Sequence, residues 1–92
     1  MTADDPRIAA LREELAATDR RILQAVNARL ELVERLRRVK EELGVDFLDP
    51  AREEWLQQHL AERNQGPLSA EGLRAFYAEL LALTKREVGG GL

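Results

Sequence analysis

The 92-residue chain is long enough for one small domain, a size at which a single hydrophobic core is only marginally sufficient and association with a second chain is expected. Its 45% hydrophobic and 34% charged residues indicate a globular helical protein, and its net charge of −3 argues against a general affinity for nucleic acid. The lack of cysteine excludes disulfides and thiolate metal sites, and since neither a secretory pattern nor an apolar run of about 20 residues is present, the cytoplasm is the expected location.

A long first helix is predicted over residues 5–43. This stretch contains no glycine and no proline after Pro6, which suits the first turn, while Gly44 suits a C-terminal cap. A helix of roughly 37 residues is about 55 Å long, which exceeds any small globular core. Steps of seven residues along it define an apolar seam, made of Ile8, Leu15, Ile22, Leu36 and Leu43.

Arg29 interrupts this apolar seam at the one heptad position that is not apolar. A buried cation is costly unless an anion meets it. Two interpretations stay open on this evidence. Arg29 pairs with a carboxylate of a partner helix and sets the register of a coiled coil, or it binds an anionic ligand.

Two shorter helices are predicted after a short linker. Asp49 is placed as an N-cap before Pro50, which predicts a helix over residues 50–63 that ends at the Asn-Gln-Gly-Pro segment 64–67. Ser69 is placed to cap a third helix with Leu68 and Leu73 as its hydrophobic staple. The inward stripe of that helix is expected to be Leu73, Phe76, Tyr77, Leu80, Leu81, Thr84 and Val88.

The predicted fold is all-α, with one long helix and two shorter ones in each chain. Residues 1–88 form the domain, and the glycine-rich residues 89–92 form a flexible tail or the start of a linker. The two shorter helices, about 48 Å together, cannot cover the whole apolar seam. We therefore expect an intertwined antiparallel homodimer in which two long helices pair.

Cations are spaced so that several could meet one ligand. Arg29 and Lys40 lie within about 20° of one helix face and roughly 16 Å apart along the axis. Arg12 lies about 25 Å before Arg29 and is rotated by roughly 100°, so it could join the same site only from the partner subunit. Arg52 and Glu53 occupy the first turn of the second helix.

With Thr84 as an inward hydroxyl on the third helix, these groups predict a pocket for a small dianion that also carries a hydroxyl. The cations Arg35, Arg37 and Arg38 are instead interpreted as a solvated face. His59, Trp55 and Phe76 are interpreted as ordinary helix or packing residues.

The spacing of these residues resembles that of the all-helical chorismate mutase family over nearly the whole chain. That resemblance implies an intertwined helical homodimer without a cofactor, which converts chorismate to prephenate by a pericyclic rearrangement. The positions that carry it are Leu11, Arg12, Asp19, Ile22, Leu23, Arg29, Lys40, Gly44, Asp49, Pro50, Arg52 and Glu53.

The resemblance also implies roles for individual cations. Arg12 of one subunit and Arg29 of the other would hold the two carboxylates of the substrate. Lys40 would hold a carboxylate and the ether oxygen that gains negative charge as its bond to carbon breaks.

Polar residues of the second and third helices would complete the site. Glu53, with the backbone near Asp49, would receive the ring hydroxyl, and Arg52 would support the site. Thr84 stands where the family usually has a serine.

One position departs from the family pattern. Four residues after the serine-equivalent Thr84, the family usually has a glutamine or glutamate that donates to the ether oxygen, and this chain has Val88. Valine cannot donate a hydrogen bond, and the adjacent Glu87 lies about 100° around an ideal helix. Loss of one such donor typically lowers the rate about 100- to 1000-fold.

Two other functions follow as alternatives. Asn64, Gly66, Pro67 and Leu68 together with the glycine tail resemble the subset of the family that is joined to a DAHP synthase. In that subset the domain also senses chorismate or prephenate and inhibits the enzyme joined to it. The pocket of this chain would then be mainly a regulatory site with weak or no turnover. The second alternative is a structural pair of oligomerising helices, for which Arg29 would need no ligand.

Overall fold

Three α-helices make up the fold in the computed structural model, which describes residues 5–89. They are α1 (Pro6–Leu43), α2 (Pro50–Arg63) and α3 (Ala70–Gly89), and no strand occurs in these residues. The predicted all-α class, with one long helix and two shorter ones, is confirmed. Because α3 includes Gly89, the predicted tail begins inside a helix, while residues 90–92 lie outside the described part of the chain.

The end of α1 is fixed by a glycine in the left-handed region. Gly44 has a φ of 68°, its amide donates to the Glu41 carbonyl at 3.2 Å, and the Val45 amide donates to the Lys40 carbonyl at 2.8 Å. These two bonds form a Schellman motif, in which a residue without a Cβ avoids backbone strain. The predicted C-terminal cap is therefore confirmed.

Side-chain caps begin the two shorter helices. The Asp49 carboxylate accepts from the Arg52 amide at 3.0 Å, and the Ser69 hydroxyl accepts from the Gly72 amide at 2.9 Å. Both bonds satisfy amides that have no partner within their own helix. Both predicted N-caps are confirmed, and α2 has the predicted bounds.

The described chain divides into two units, one ending at Leu32 and the other starting at Val33. The first unit consists of the earlier part of α1, in which no side chain is buried. Several of its large apolar side chains are exposed, with Leu15 62% and Ile22 50% exposed. A 38-residue helix that buries none of its side chains needs a further surface to cover its apolar face.

The second unit contains the end of α1 together with α2 and α3, and its core lies between α2 and α3. Its buried side chains are Gln57, Leu73, Leu80 and Thr84. The amide of Gln57 donates to the Arg74 carbonyl at 3.1 Å, which satisfies a polar group at the contact between the two helices.

The predicted inward stripe of α3 agrees with this core at most positions. Tyr77, Leu81 and Val88 are partly covered, in addition to the buried members of the stripe. Phe76 differs, since it is 51% exposed and contacts Tyr77 edge to face, with 5.5 Å between ring centroids. Within residues 5–89, no helix combines the length and apolarity needed to cross a membrane.

Candidate functional site

The first unit carries two of the predicted site cations. Arg12 is exposed on α1, and Arg29 is partly covered. Arg29 is therefore less exposed than Ile22, which lies seven residues earlier on the same apolar seam. This is a suitable setting for a guanidinium that binds an anion, because partial desolvation strengthens a charged hydrogen bond.

Lys40 lies in the last turn of α1 and belongs to the second unit. Its ammonium donates to the backbone carbonyl of Phe47 at 3.1 Å, across the linker that leads to α2. An ammonium has three N–H donors, so this bond fixes the side chain and leaves donor capacity for a ligand anion. The linker thus positions the Lys40 charge near the end of α1.

The neighbouring arginines form a salt-bridge network along α1. Arg37 pairs with Glu34 at 2.8 Å and with Glu41 at 3.1 Å, and Arg38 pairs with Glu34 at 3.3 Å. The hydrogen bond from Arg37 holds the pKa of the Glu34 carboxyl below its ordinary value. Both arginines pair with carboxylates of their own helix. Arg38, 68% exposed, agrees with its interpretation as a solvated residue, whereas Arg37 is partly covered and 29% exposed.

Arg52 is held against an aromatic side chain of α2. Its guanidinium carbon lies 3.7 Å from the centre of the Trp55 ring, and Trp55 stacks on His59 with 4.4 Å between centroids. Arg63 continues this row, with its Nη1 3.0 Å from His59 Nδ1. Arg52 therefore supports the start of α2 through a cation–π contact.

Glu53 joins α2 to α3 through an ion pair. Its Oε1 lies 2.8 Å from Lys85 Nζ, and the two side chains are 30% and 45% exposed, respectively. The Glu53 amide donates to the Asp49 carbonyl at 3.1 Å, so this carboxylate lies in the first turn of α2, four residues after the N-cap. The predicted acceptor for a ligand hydroxyl is thus held in place from both helices.

A groove of about 330 Å³ lies between α2 and α3. Glu53, Lys85 and Leu81 line it, and a second ion pair, Glu54 with Arg74 at 2.9 Å, lines it further along. Its volume is at the lower end of the range for small-molecule sites. The second unit therefore presents a cleft with charged groups beside apolar side chains.

Thr84 is 5% exposed, and its hydroxyl donates to the Leu80 carbonyl at 2.7 Å. A hydroxyl has one O–H donor, so it would have to rotate away from this carbonyl to donate to a ligand, as the sequence predicts. Val88, one turn later, is partly covered, whereas Glu87 is exposed. The covered side of α3 thus carries the valine and not the adjacent carboxylate.

The structure brings some of the predicted residues together within the second unit. Asp49 caps α2, and Arg52 and Glu53 lie in its first turn, while Thr84 and Val88 share one side of α3. Lys85 is a residue that the sequence did not single out, because a lysine near the end of a helix is typical of a solvated position. No group of His, Asp and Glu that could hold a metal ion occurs among residues 5–89.

Two solved structures with a similar arrangement of helices belong to one class of protein, the chorismate mutases. Form I of the chorismate mutase from Thermus thermophilus is 36% identical with a TM-score of 0.83, covering 85% of this chain and 98% of that chain. Form II of the same enzyme is 36% identical with a TM-score of 0.82, and the match covers 85% of this chain and 89% of that chain.

The family model for chorismate mutase type II matches residues 11–88, and the chain belongs to that family. A bifunctional chorismate mutase/prephenate dehydratase of Pseudomonas aeruginosa is 29% identical over 85 residues, covering 87% of this chain and 23% of the relative. The bifunctional enzyme of the same description from Stutzerimonas stutzeri is 32% identical over 82 residues, and the match covers 83% of this chain and 22% of that relative. The chain therefore spans less than a quarter of these relatives, in which the joined activity is a prephenate dehydratase and not the DAHP synthase considered as an alternative.

Proposed function

We propose that this domain converts chorismate to prephenate. The observation that supports this most is the family match over residues 11–88, which contains every position that we assign to the site, from Arg12 to Val88. The similar chains from Thermus thermophilus, which this domain covers almost completely, are chorismate mutases.

The chemistry suits a pocket of fixed charges. In the rearrangement one carbon–oxygen bond breaks while one carbon–carbon bond forms within the same molecule, so no proton transfer or nucleophile is needed. Catalysis then requires a compact, chair-like substrate and stabilisation of charge that develops on the ether oxygen. We assign the two carboxylates to Arg29 and to Arg12 of the partner subunit, and the ether oxygen to Lys40.

The second and third helices supply the remaining contacts in this proposal. Glu53 accepts the ring hydroxyl, with the backbone near Asp49, and Thr84 adds a neutral polar contact. Arg52, held on Trp55, supports the start of α2. The mechanism needs no cofactor.

We also propose a cytoplasmic location, which the cysteine-free sequence supports.

The proposed site is complete only in a homodimer, because Arg12 has to come from a second chain. Pairing of two α1 helices would cover side chains such as Leu15, which is 62% exposed here.

Replacing Leu15 with glutamate should raise the dimer dissociation constant at least about 100-fold, since the change places two charges in an apolar interface. Sedimentation equilibrium measures this change, with the exposed Gln24→Glu on the same helix as the control.

An unchanged dissociation constant for Leu15→Glu would contradict pairing through the apolar seam. Equal weakening by Gln24→Glu would instead indicate a general effect of added charge on α1. The activity of the Leu15→Glu protein should fall with its dimer content, because each site needs both chains.

The direct test of the function is chorismate turnover by the purified protein. We expect first-order loss of the ultraviolet absorbance of chorismate and equal formation of prephenate, without added metal or cofactor. Absence of both turnover and binding would contradict the proposal.

A second function is favoured by one observation, the valine at the position where the family usually has an amide donor. In that alternative the domain binds chorismate or prephenate to regulate an enzyme joined to it, with negligible turnover. A DAHP synthase as that enzyme stays a prediction. Calorimetry that detects binding by a protein without turnover would favour the alternative.

A further inference from the structure

Glu53 creates an electrostatic problem in the proposed site. A dianionic substrate is repelled by a carboxylate, yet the carboxylate is wanted as an acceptor for the ring hydroxyl. The pocket therefore needs a cation that offsets the charge of Glu53 without occupying the face that the hydroxyl approaches. This inference rests on the proposed function.

Lys85 is the cation that meets this need. Its ammonium is 2.8 Å from Glu53 Oε1, it lines the same groove, and it follows Thr84 directly in α3. It lies three residues before Val88, so both are on neighbouring turns of one helix side. The bond uses one carboxylate oxygen, and the other oxygen keeps its capacity to accept.

We propose that Lys85 is a positioning residue of the site. It neutralises Glu53, so that the carboxylate can face the substrate hydroxyl without repelling the substrate carboxylates, and it fixes the orientation of that carboxylate from α3. Lys85 should therefore lower the KM for a dianionic substrate relative to a protein without this cation. The reason is that it reduces the electrostatic repulsion that the substrate meets as it approaches and binds.

A matched ion pair separates this role from simple fastening of the helices. Arg74 and Glu54 also join α3 to α2, at 2.9 Å, and also line the groove. If Lys85 served only to hold α2 against α3, loss of the Lys85–Glu53 pair and loss of the Arg74–Glu54 pair should change KM to a similar extent. Exposed pairs of this kind contribute little to stability, so both single variants should fold.

The experiment measures kcat and KM for chorismate in the dimeric protein at low and high NaCl. Lys85→Met should raise KM about ten-fold at low salt, and the ratio to the wild-type KM should shrink as salt screens the repulsion. Lys85→Arg should restore KM to within about two-fold, because it keeps the charge. Arg74→Met should stay within about two-fold of the wild type at both salt concentrations.

The double variant Glu53→Gln, Lys85→Met removes both charges, so its KM should fall below that of Lys85→Met alone. An unchanged KM in Lys85→Met, or an equal rise in Arg74→Met, would overturn the role of Lys85 while leaving the proposed function intact. A wild-type protein that neither binds nor converts chorismate would overturn both. A rise in KM that does not depend on salt would also overturn the electrostatic role.

Discussion

Replacing Arg29 with alanine should lower kcat/KM for chorismate by at least about 1000-fold. A guanidinium binds a carboxylate through two parallel N–H donors, and the partial covering of Arg29 strengthens both. Loss of one preorganised donor commonly costs about 100- to 1000-fold, and this change removes more than one. Steady-state kinetics on the dimeric protein measure the effect.

Two further variants control for this result. Arg29→Lys keeps the charge without the planar fork, so it should retain part of the activity. Arg20→Ala removes an exposed arginine that lies nine residues earlier, on the opposite side of α1. Its kcat/KM should stay within about two-fold of the wild-type value. Full activity in Arg29→Ala would contradict a role for this residue in binding substrate.

The Arg29→Leu variant distinguishes the structural alternative. If α1 served only for oligomerisation, leucine at this position should keep or increase dimer stability, because apolar packing often replaces a buried ion pair without loss. In the proposed enzyme the same change should abolish turnover whatever it does to the dimer. Turnover and dimer stability should therefore be measured on the same preparation.

Replacing Val88 with glutamine should raise kcat about 100-fold. Glutamine places an amide donor on the covered side of α3, one turn after Thr84, where the family usually has a donor to the ether oxygen. Negative charge grows on that oxygen as its bond to carbon breaks, so the added donor stabilises the transition state more than the bound substrate. The gain should appear in kcat from steady-state or single-turnover measurements.

Glu87→Gln is the matched control, since it places the same amide at the adjacent exposed position. It should leave kcat unchanged. If Val88→Gln has no effect while Glu87→Gln increases the rate, the assumed register between α3 and the family pattern is wrong. That outcome would assign the missing donor to the next residue of the helix.

The helix ends could be predicted because their signals are local. Gly44 adopts the left-handed conformation that a Schellman motif needs, and Asp49 and Ser69 bond to amides three residues later. Each cap depends on a few consecutive residues and not on the rest of the fold. The inward position of Thr84 could likewise be predicted from helical spacing.

The ion pairs between helices could not be predicted in the same way. Whether Glu53 meets Lys85 depends on how α2 and α3 are rotated about their axes, and sequence spacing within one helix carries no such information. The bond from Lys40 to Phe47 depends in turn on the path of the linker. The bond from Thr84 to Leu80 could have been foreseen, because threonine often donates to the carbonyl four residues earlier.

In the proposed site, the hydrogen bond from Lys40 to the Phe47 carbonyl would make the connection between α1 and α2 a determinant of substrate affinity. The acceptor is a peptide oxygen, which almost any residue at that place can provide. Natural selection can therefore act on the number of residues between the two helices more strictly than on their identity. Related sequences should vary freely in the chemical character of this stretch while rarely gaining or losing a residue there.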